Sequence, residues 1–234
     1  MKRSDIKILL EINHPIRLEG LQPIGRGSHR ICYPHPDHPD RCVKIMIAKF
    51  PPHTSEPGTM AEYICLSGAA PDENALEFKA YQELEKRGNS AIWRHIPRCY
   101  GMVSTDFGPG LVTDYIREVN GQQAESLAQR LDRSYDASCK AALVEFKSFL
   151  LEHLIRVGDL HPSNLLICRP DGTQHERLFI IDGLATRHFL WWPCFYPLRR
   201  FKVRSKIRRM DRRISNYLSR KQADAEKGMK NMSG

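Results

Sequence analysis

No stretch of this chain is apolar enough, for long enough, to cross a bilayer as a helix. The most apolar window, Phe189 to Leu198, has ten residues and contains Pro193 and Pro197, where a spanning helix needs about 20 apolar residues. No cysteine pair shows C-x-x-C spacing. The seven cysteines (Cys32, Cys42, Cys65, Cys99, Cys139, Cys168, Cys194) are scattered and odd in number. That argues against a disulfide framework or a zinc site and fits reduced thiols in a cytoplasm. The first residues are not expected to act as a secretory leader, because their apolar piece is too short and too charged. Met1-Lys2-Arg3 is basic, but Ile6 to Leu10 is broken by Lys7 and followed by Glu11. There is no internal repeat.

Acidic residues are also in short supply, 27 Asp and Glu against 36 Lys and Arg, which leaves a net charge of +9 and a pI near 9.3. Such a balance favours anionic partners. The excess is local: Arg199 to Arg213 holds nine Lys/Arg and one acid, Asp211, so the remainder of the chain is close to neutral. At 234 residues and 41% apolar content, the chain can bury a core as one domain or two small lobes.

Residues 17–50 read as paired strands. Leu18 to Ile24, weakened by Gly20 and Pro23, leads into G-R-G-S-H-R (Gly25 to Arg30) and Ile31-Cys32-Tyr33. After a turn rich in Pro, His and Asp comes Arg41-Cys42-Val43-Lys44-Ile45-Met46. Gly25 and Gly27 let backbone approach a phosphate without a Cβ in the way, although any hairpin can contain such a pair. Lys44 is either a solvated outward residue or a strand lysine aimed at nucleotide phosphates. A helix is expected from Asp72 to Gly88, with Leu76, Tyr81 and Leu84 as its apolar positions. Strands are expected from Ile96 to Asp106 and Gly108 to Ile116. Helical periodicity then covers Ser126 to Leu131 and Ala137 to Ile155.

The stretch Val157 to Ile167, V-G-D-L-H-P-S-N-L-L-I, follows. Asp159 and Asn164 are five residues apart, the spacing of a phosphotransferase loop in which the Asp holds the attacking hydroxyl and the Asn a metal ion. A hairpin is expected next, Leu165 to Cys168 and Leu178 to Ile181. Asp182 in I-I-D-G, eighteen residues past Asn164, stands where a second metal ligand would be.

G-D-L-H-P-S-N-L-L-I with I-D-G resembles the loop of the aminoglycoside-phosphotransferase and lipopolysaccharide-kinase groups of the protein-kinase-like fold. Over most of the chain, G-R-G-S-H-R-I-C-Y-P-H-P, R-C-V-K-I, I-P-R-C-Y-G-M-V-S-T-D-F-G-P-G and the basic tail resemble the PhoP-regulatory-network YrbL family. The resemblance implies a bacterial, cytoplasmic, kinase-like protein linked to an envelope-stress regulon, using ATP and Mg²⁺. By position it implies that Asp159 accepts the substrate hydroxyl's proton and that Asn164 and Asp182 hold Mg²⁺. Lys44 would hold the α/β phosphates, braced by Glu77, with Glu83 and Glu62 as alternatives. Gly25 and Gly27 would shape the cover over the nucleotide. Val112 and Tyr115 would lie where a main-chain hinge meets the adenine. His161 stands where protein kinases carry a lysine; it would either touch the transferred phosphate or make a structural hydrogen bond.

Three features depart from the protein-kinase pattern. Arg30 replaces a third glycine, D-F-G is reduced to Asp182-Gly183-Leu184, and no A-P-E occurs in the 52 residues after Asp182. The expected architecture is therefore α+β, a two-lobed protein-kinase-like fold with an abbreviated C-lobe, the lobes being residues 1–115 and 116–234. A hydroxyl on an envelope sugar, a lipid-linked sugar or a small molecule is the expected acceptor. The alternative is a low-activity regulator that binds nucleotide or a protein. Past the aromatic segment, Val203, Ile207, Met210, Ile214 and Tyr217/Leu218 recur at helical spacing among cations. That basic amphipathic helix either packs on the C-lobe or, with residues 189–218 as a whole, docks on an anionic membrane surface. Nothing points to nucleic-acid readout.

Overall fold

A computed structural model of the chain describes residues 15–47, 73–170, 172, 175–184 and 196–232, with the main chain alone from 225 onward. The chain divides into two compact units: residues 1–93 with 97–116, and residues 94–96 with 117–234.

In the first unit a five-stranded antiparallel sheet has the order β1-β2-β3-β5-β4. The strands are β1 (Gly25–Arg26), β2 (Arg30–Pro34), β3 (Arg41–Met46), β4 (Cys99–Thr105) and β5 (Gly108–Asp114). The two-residue period of β3 sorts its side chains between faces. Val43 and Ile45 join Leu18 and Val112 in a buried cluster. Gly110 lies under this cluster: a Cβ there would come within 2.6 Å of Val43 Cγ1 and 2.9 Å of Ile45 Cδ1. The Asp106 carboxylate accepts from Leu18 N (2.9 Å) and Glu19 N (2.8 Å), which fixes the entering chain. Helix α1 (Glu73–Glu85) packs on the sheet. Its buried residues are Asn74, Glu77, Tyr81 and Leu84. Leu76, expected on the buried face, is only partly covered, because the helix turns polar Asn74 and Glu77 inward.

The second unit has a three-stranded antiparallel sheet, β6-β7-β8 (Glu125–Ser126, Leu165–Cys168, Arg177–Ile180), and helices α2 (Leu127–Arg133), α3 (Ala137–Glu152) and α4 (Tyr196–Met232). A capping box between Ser126 and Gln129 starts α2, and Asp136 caps α3 by accepting from Cys139 N. Helix α3 ends at Glu152, short of the expected Ile155. His153 closes it, and Ile155 N reaches back to Leu150 O at 3.3 Å. This is a Schellman-type stop with a leucine where glycine is usual: Leu154 has φ of 46° and is buried. Val203, Ile207, Met210 and Ile214 of α4 are all buried. Each such side chain removed from water contributes about 1.5–3 kcal/mol. Lys147 on α3 pairs with Asp211 on α4 at 3.1 Å. The apolar stripe of the basic helix therefore belongs to the core of this unit. The aromatic residues 189–195 lie outside the described residues. Among the described residues no helix is long and apolar enough to cross a membrane.

Arg130 is 1% exposed. It donates to Glu176 Oε1 (3.0 Å) and Oε2 (3.3 Å), to Asp136 Oδ2 (2.7 Å) and to Ser134 O. Removing one partner of a buried pair costs more than the pair contributes, because the other charge stays buried. Arg130→Ala should cost about 3 kcal/mol, the lower end of the usual range, since Arg169 remains 3.5 Å from Glu176. The check is a lower urea midpoint, partly restored by adding Glu176→Gln. His95 is 1% exposed between Phe146 and Phe149, with Nδ1 2.8 Å from Leu178 O. Burial pushes its imidazole below the usual range, and Glu145, 3.6 Å from Nε2, does not reverse that. Below about pH 6.5 the unfolded chain takes up a proton that folded His95 resists. The melting temperature should therefore fall as pH drops from 7 toward the lowered folded value, and the fall should be shallower in His95→Gln.

Candidate functional site

In the first unit, Lys44 extends from the face of β3 opposite Val43. Its Nζ donates to Glu77 Oε1 at 2.6 Å, and Arg30 Nη1 donates to Glu77 Oε2 at 2.5 Å. Glu77 is 0% exposed, Lys44 7% and Arg30 8%. Asn74, one helical turn before Glu77, donates from Nδ2 to Lys44 O (2.8 Å) and lies 3.3 Å from Arg30 Nη1. Two cations thus meet one buried carboxylate. Glu83 pairs instead with Lys86 on the surface, and Glu62 lies outside the described residues.

Gly25 opens β1, and Gly27 begins the exposed turn between β1 and β2, where Gly27 N donates to Arg30 O at 2.8 Å. Neither has a left-handed φ. An added Cβ would meet nothing within 4 Å at Gly25 and only Arg30 O, at 3.7 Å, at Gly27. The fold itself would accept a side chain at both positions. Val112 is flanked on both sides, by Val43 of β3 and Gly101 of β4, and Tyr115 N donates to Asp40 O at 2.8 Å.

In the second unit, Pro162–Asn164 form a 3-10 turn that leads into β7. His161 caps this turn: its Nδ1 accepts from Ser163 N (3.3 Å) and lies 3.2 Å from Ser163 Oγ. Nδ1 thus has the structural role. Two main-chain bonds join this loop to the Asp182 segment: Ile181 N to Asn164 O (3.0 Å) and Gly158 N to Gly183 O (2.6 Å). Gly183 permits the second, with φ of 89°; a Cβ on it would come within 2.9 Å of Asp159 O. Asp182 Oδ1 accepts from Gly183 N at 2.5 Å. The structure therefore brings the Asp159, Asn164 and Asp182 segments together. Asn164 and Asp182 carry oxygen donors of the type Mg²⁺ takes. Among the described residues no group of three His, Cys, Asp or Glu is placed to hold a metal.

Several residues here were not singled out by sequence reasoning. Arg30 was read only as a missing glycine. Its signal was its place on the same strand face as Cys32, which is opposite Lys44 in the register. Asn74 lies three residues before Glu77 and so shares its helix face. Arg213 Nη1 donates to Asp159 Oδ1 at 2.6 Å, and Lys206 Nζ donates to Gly158 O. Nothing local in the sequence signals those two contacts from α4.

The chain is thus an α+β protein with a buried Lys–Glu pair in one unit and two joined loops bearing Asp, Asn and Asp in the other. Residues 16–221 match the family described as PhoP regulatory network protein YrbL, and the chain belongs to that family. It is 32% identical over 158 residues to the YrbL protein of Escherichia coli (strain K12), covering 66% of this chain and 66% of that one. The same values hold for YrbL of Shigella flexneri; the match spans just under two thirds of each relative's length. Among solved structures the chain is similar to Rad53 1–466 in complex with AMP-PNP, with a TM-score of 0.43 and 13% identity, over 72% of this chain and 38% of that one.

Gly183→Ala combines a left-handed φ with a backbone clash, so a cost of about 1–3 kcal/mol is expected. Gly25→Ala should leave the melting temperature within about 1 °C, because surface changes without new contacts are close to neutral. Differential scanning calorimetry of the two variants checks both.

Proposed function

We propose that this protein is a kinase-like phosphotransferase that moves the γ-phosphate of ATP to a hydroxyl. Its two units would correspond to the lobes of a protein-kinase-like fold with an abbreviated C-lobe. The observation that carries the reading is the buried Lys44–Glu77 pair. A lysine held by a helix carboxylate on the third strand is the arrangement that grips α/β phosphates in kinases. Arg30 adds a second cation to the same carboxylate. Gly25 and Gly27, which the fold alone does not require, suit a turn that must come close to phosphate.

Asp159 would receive the acceptor's proton as its oxygen bonds to the γ-phosphorus and the bond to the β–γ bridging oxygen breaks, releasing ADP. Phosphoryl transfer depends on positioning and charge neutralisation more than on covalent catalysis. Mg²⁺, held by Asn164 and Asp182, would supply that neutralisation at the β and γ phosphates. The capping geometry of His161 favours its structural role. ATP use sets the reaction in the cytoplasm, and the acceptor is an envelope or lipid-linked sugar or a small molecule.

One observation favours a second reading, a low-turnover nucleotide- or partner-binding regulator within a PhoP-linked response. Asp159, the base, is engaged by Arg213. ATP turnover and autophosphorylation of wild type against Asp159→Asn separate the two. The enzyme reading expects a loss of about 10²–10⁴-fold, with Mg·ATP still raising the melting temperature of both proteins. Equal rates would leave only the regulator.

A further inference from the structure

The residues that α4 brings to Asp159 are cations. Lys206, Arg209 and Arg213 are spaced three and four apart, which sets them on one helix face. Each immediately precedes a buried apolar residue of the stripe, Ile207, Met210 or Ile214. They therefore border the packed side of the helix, the side where Lys206 Nζ reaches Gly158 O and Arg213 reaches Asp159. Arg213 meets the Asp159 carboxylate directly, Lys206 reaches the neighbouring Gly158 carbonyl, and Arg209 lies close enough to Lys206 to act on its charge. Lys206 is half-buried, and its ammonium is pushed below the usual range by burial and by Arg209 and Arg213, against the pull of Asp159. Positive charge is thus concentrated beside the candidate base.

We infer that Lys206, Arg209 and Arg213 form the receptor for an anionic group on the acceptor, so that the hydroxyl offered to Asp159 belongs to a phosphate-bearing molecule. The inference rests on the phosphotransferase reading and names its acceptor class. A phosphate monoester or diester matches the guanidinium fork of Arg213 in two parallel hydrogen bonds. Taking up that phosphate turns Arg213 away from Asp159 Oδ1, and the freed oxygen can then accept the hydroxyl proton. The anion on the acceptor thereby switches on its own base. Amine-bearing sugars are disfavoured by the same three charges. The phosphate can be carried by a soluble sugar phosphate or by a lipid headgroup, since the recognition chemistry is shared.

Isothermal titration of the full chain, without nucleotide, tests the receptor independently of transfer. The probes are glucose 6-phosphate, glucose, glucosamine, and phosphatidylcholine vesicles with and without phosphatidylglycerol. Binding of glucose 6-phosphate or of the phosphatidylglycerol vesicles, with neither glucose nor glucosamine binding, is expected. Which of the two probes binds identifies the source of the phosphate. Arg213→Gln should weaken that binding about tenfold, and Arg209→Gln should weaken it further. Arg204→Gln with Arg208→Gln, on the other side of the helix, should leave it unchanged. Equal losses in both pairs of variants, tighter binding of glucosamine, or no binding of either phosphate probe would overturn the inference. Anion binding that follows this pattern in a protein without ATP turnover would count against the phosphotransferase reading and leave the receptor standing.

Discussion

A carboxylate without access to water must be matched by positive charge, and Glu77 meets that condition twice. Its two oxygens are divided between Lys44 from β3 and Arg30 from β2. Because those strands are neighbours in the sheet, the helix that carries Glu77 is fixed against both. Asn74 reinforces the arrangement by bonding to the carbonyl of Lys44. Much of the first unit follows from this contact: where α1 lies, which of its faces is inward, and why a lysine occupies an otherwise apolar run. Breaking any one of the three charges leaves the other two in a low-dielectric setting, so they persist or fail together.

The second unit depends on a close approach of main chain to main chain. Gly183 allows it, and the bond from Gly158 N then sets the Asp182 segment against the Asp159 segment. Side chains on loops are precise only when the loops are held. Here two backbone bonds hold them, while α4 adds contacts from a distant part of the chain. The segment with the most positive charge is also the segment whose apolar residues complete the core, so its chemistry and its packing cannot be separated by truncation.

Much of this was legible in the sequence because the signals are local. The alternation in Arg41–Met46 marks a strand, the five-residue spacing from Asp159 to Asn164 marks the loop, and the hairpin from Leu165 to Ile180 shows in its apolar runs. Glu77 is the first choice of partner for Lys44, ahead of Glu83 and Glu62, and the structure makes that pair. Other features were not legible, for physical reasons. Arg213 and Asp159 are 54 residues apart, and a contact across that distance leaves no periodic trace. Arg30 has the composition of a surface residue and only the strand register shows that it faces inward. That Val112 is flanked by two strands and that Tyr115 N bonds to Asp40 O are facts of tertiary pairing that apolar patterning does not reveal. The basic helix offered two readings, packing or membrane docking, and the burial of Val203, Ile207, Met210 and Ile214 assigns its apolar stripe to the core.

Leu154 is the turn through which α3 hands the chain to the Asp159 loop. Its left-handed φ opposes its Cβ by about 1–2 kcal/mol, while its buried side chain returns about 1.5–3 kcal/mol. Glycine would relax the backbone and leave a hole; any bulkier residue would fill the hole and keep the strain. Neither choice improves on leucine, so the direction in which the chain leaves α3 is set by a compromise between two opposed demands at a single residue.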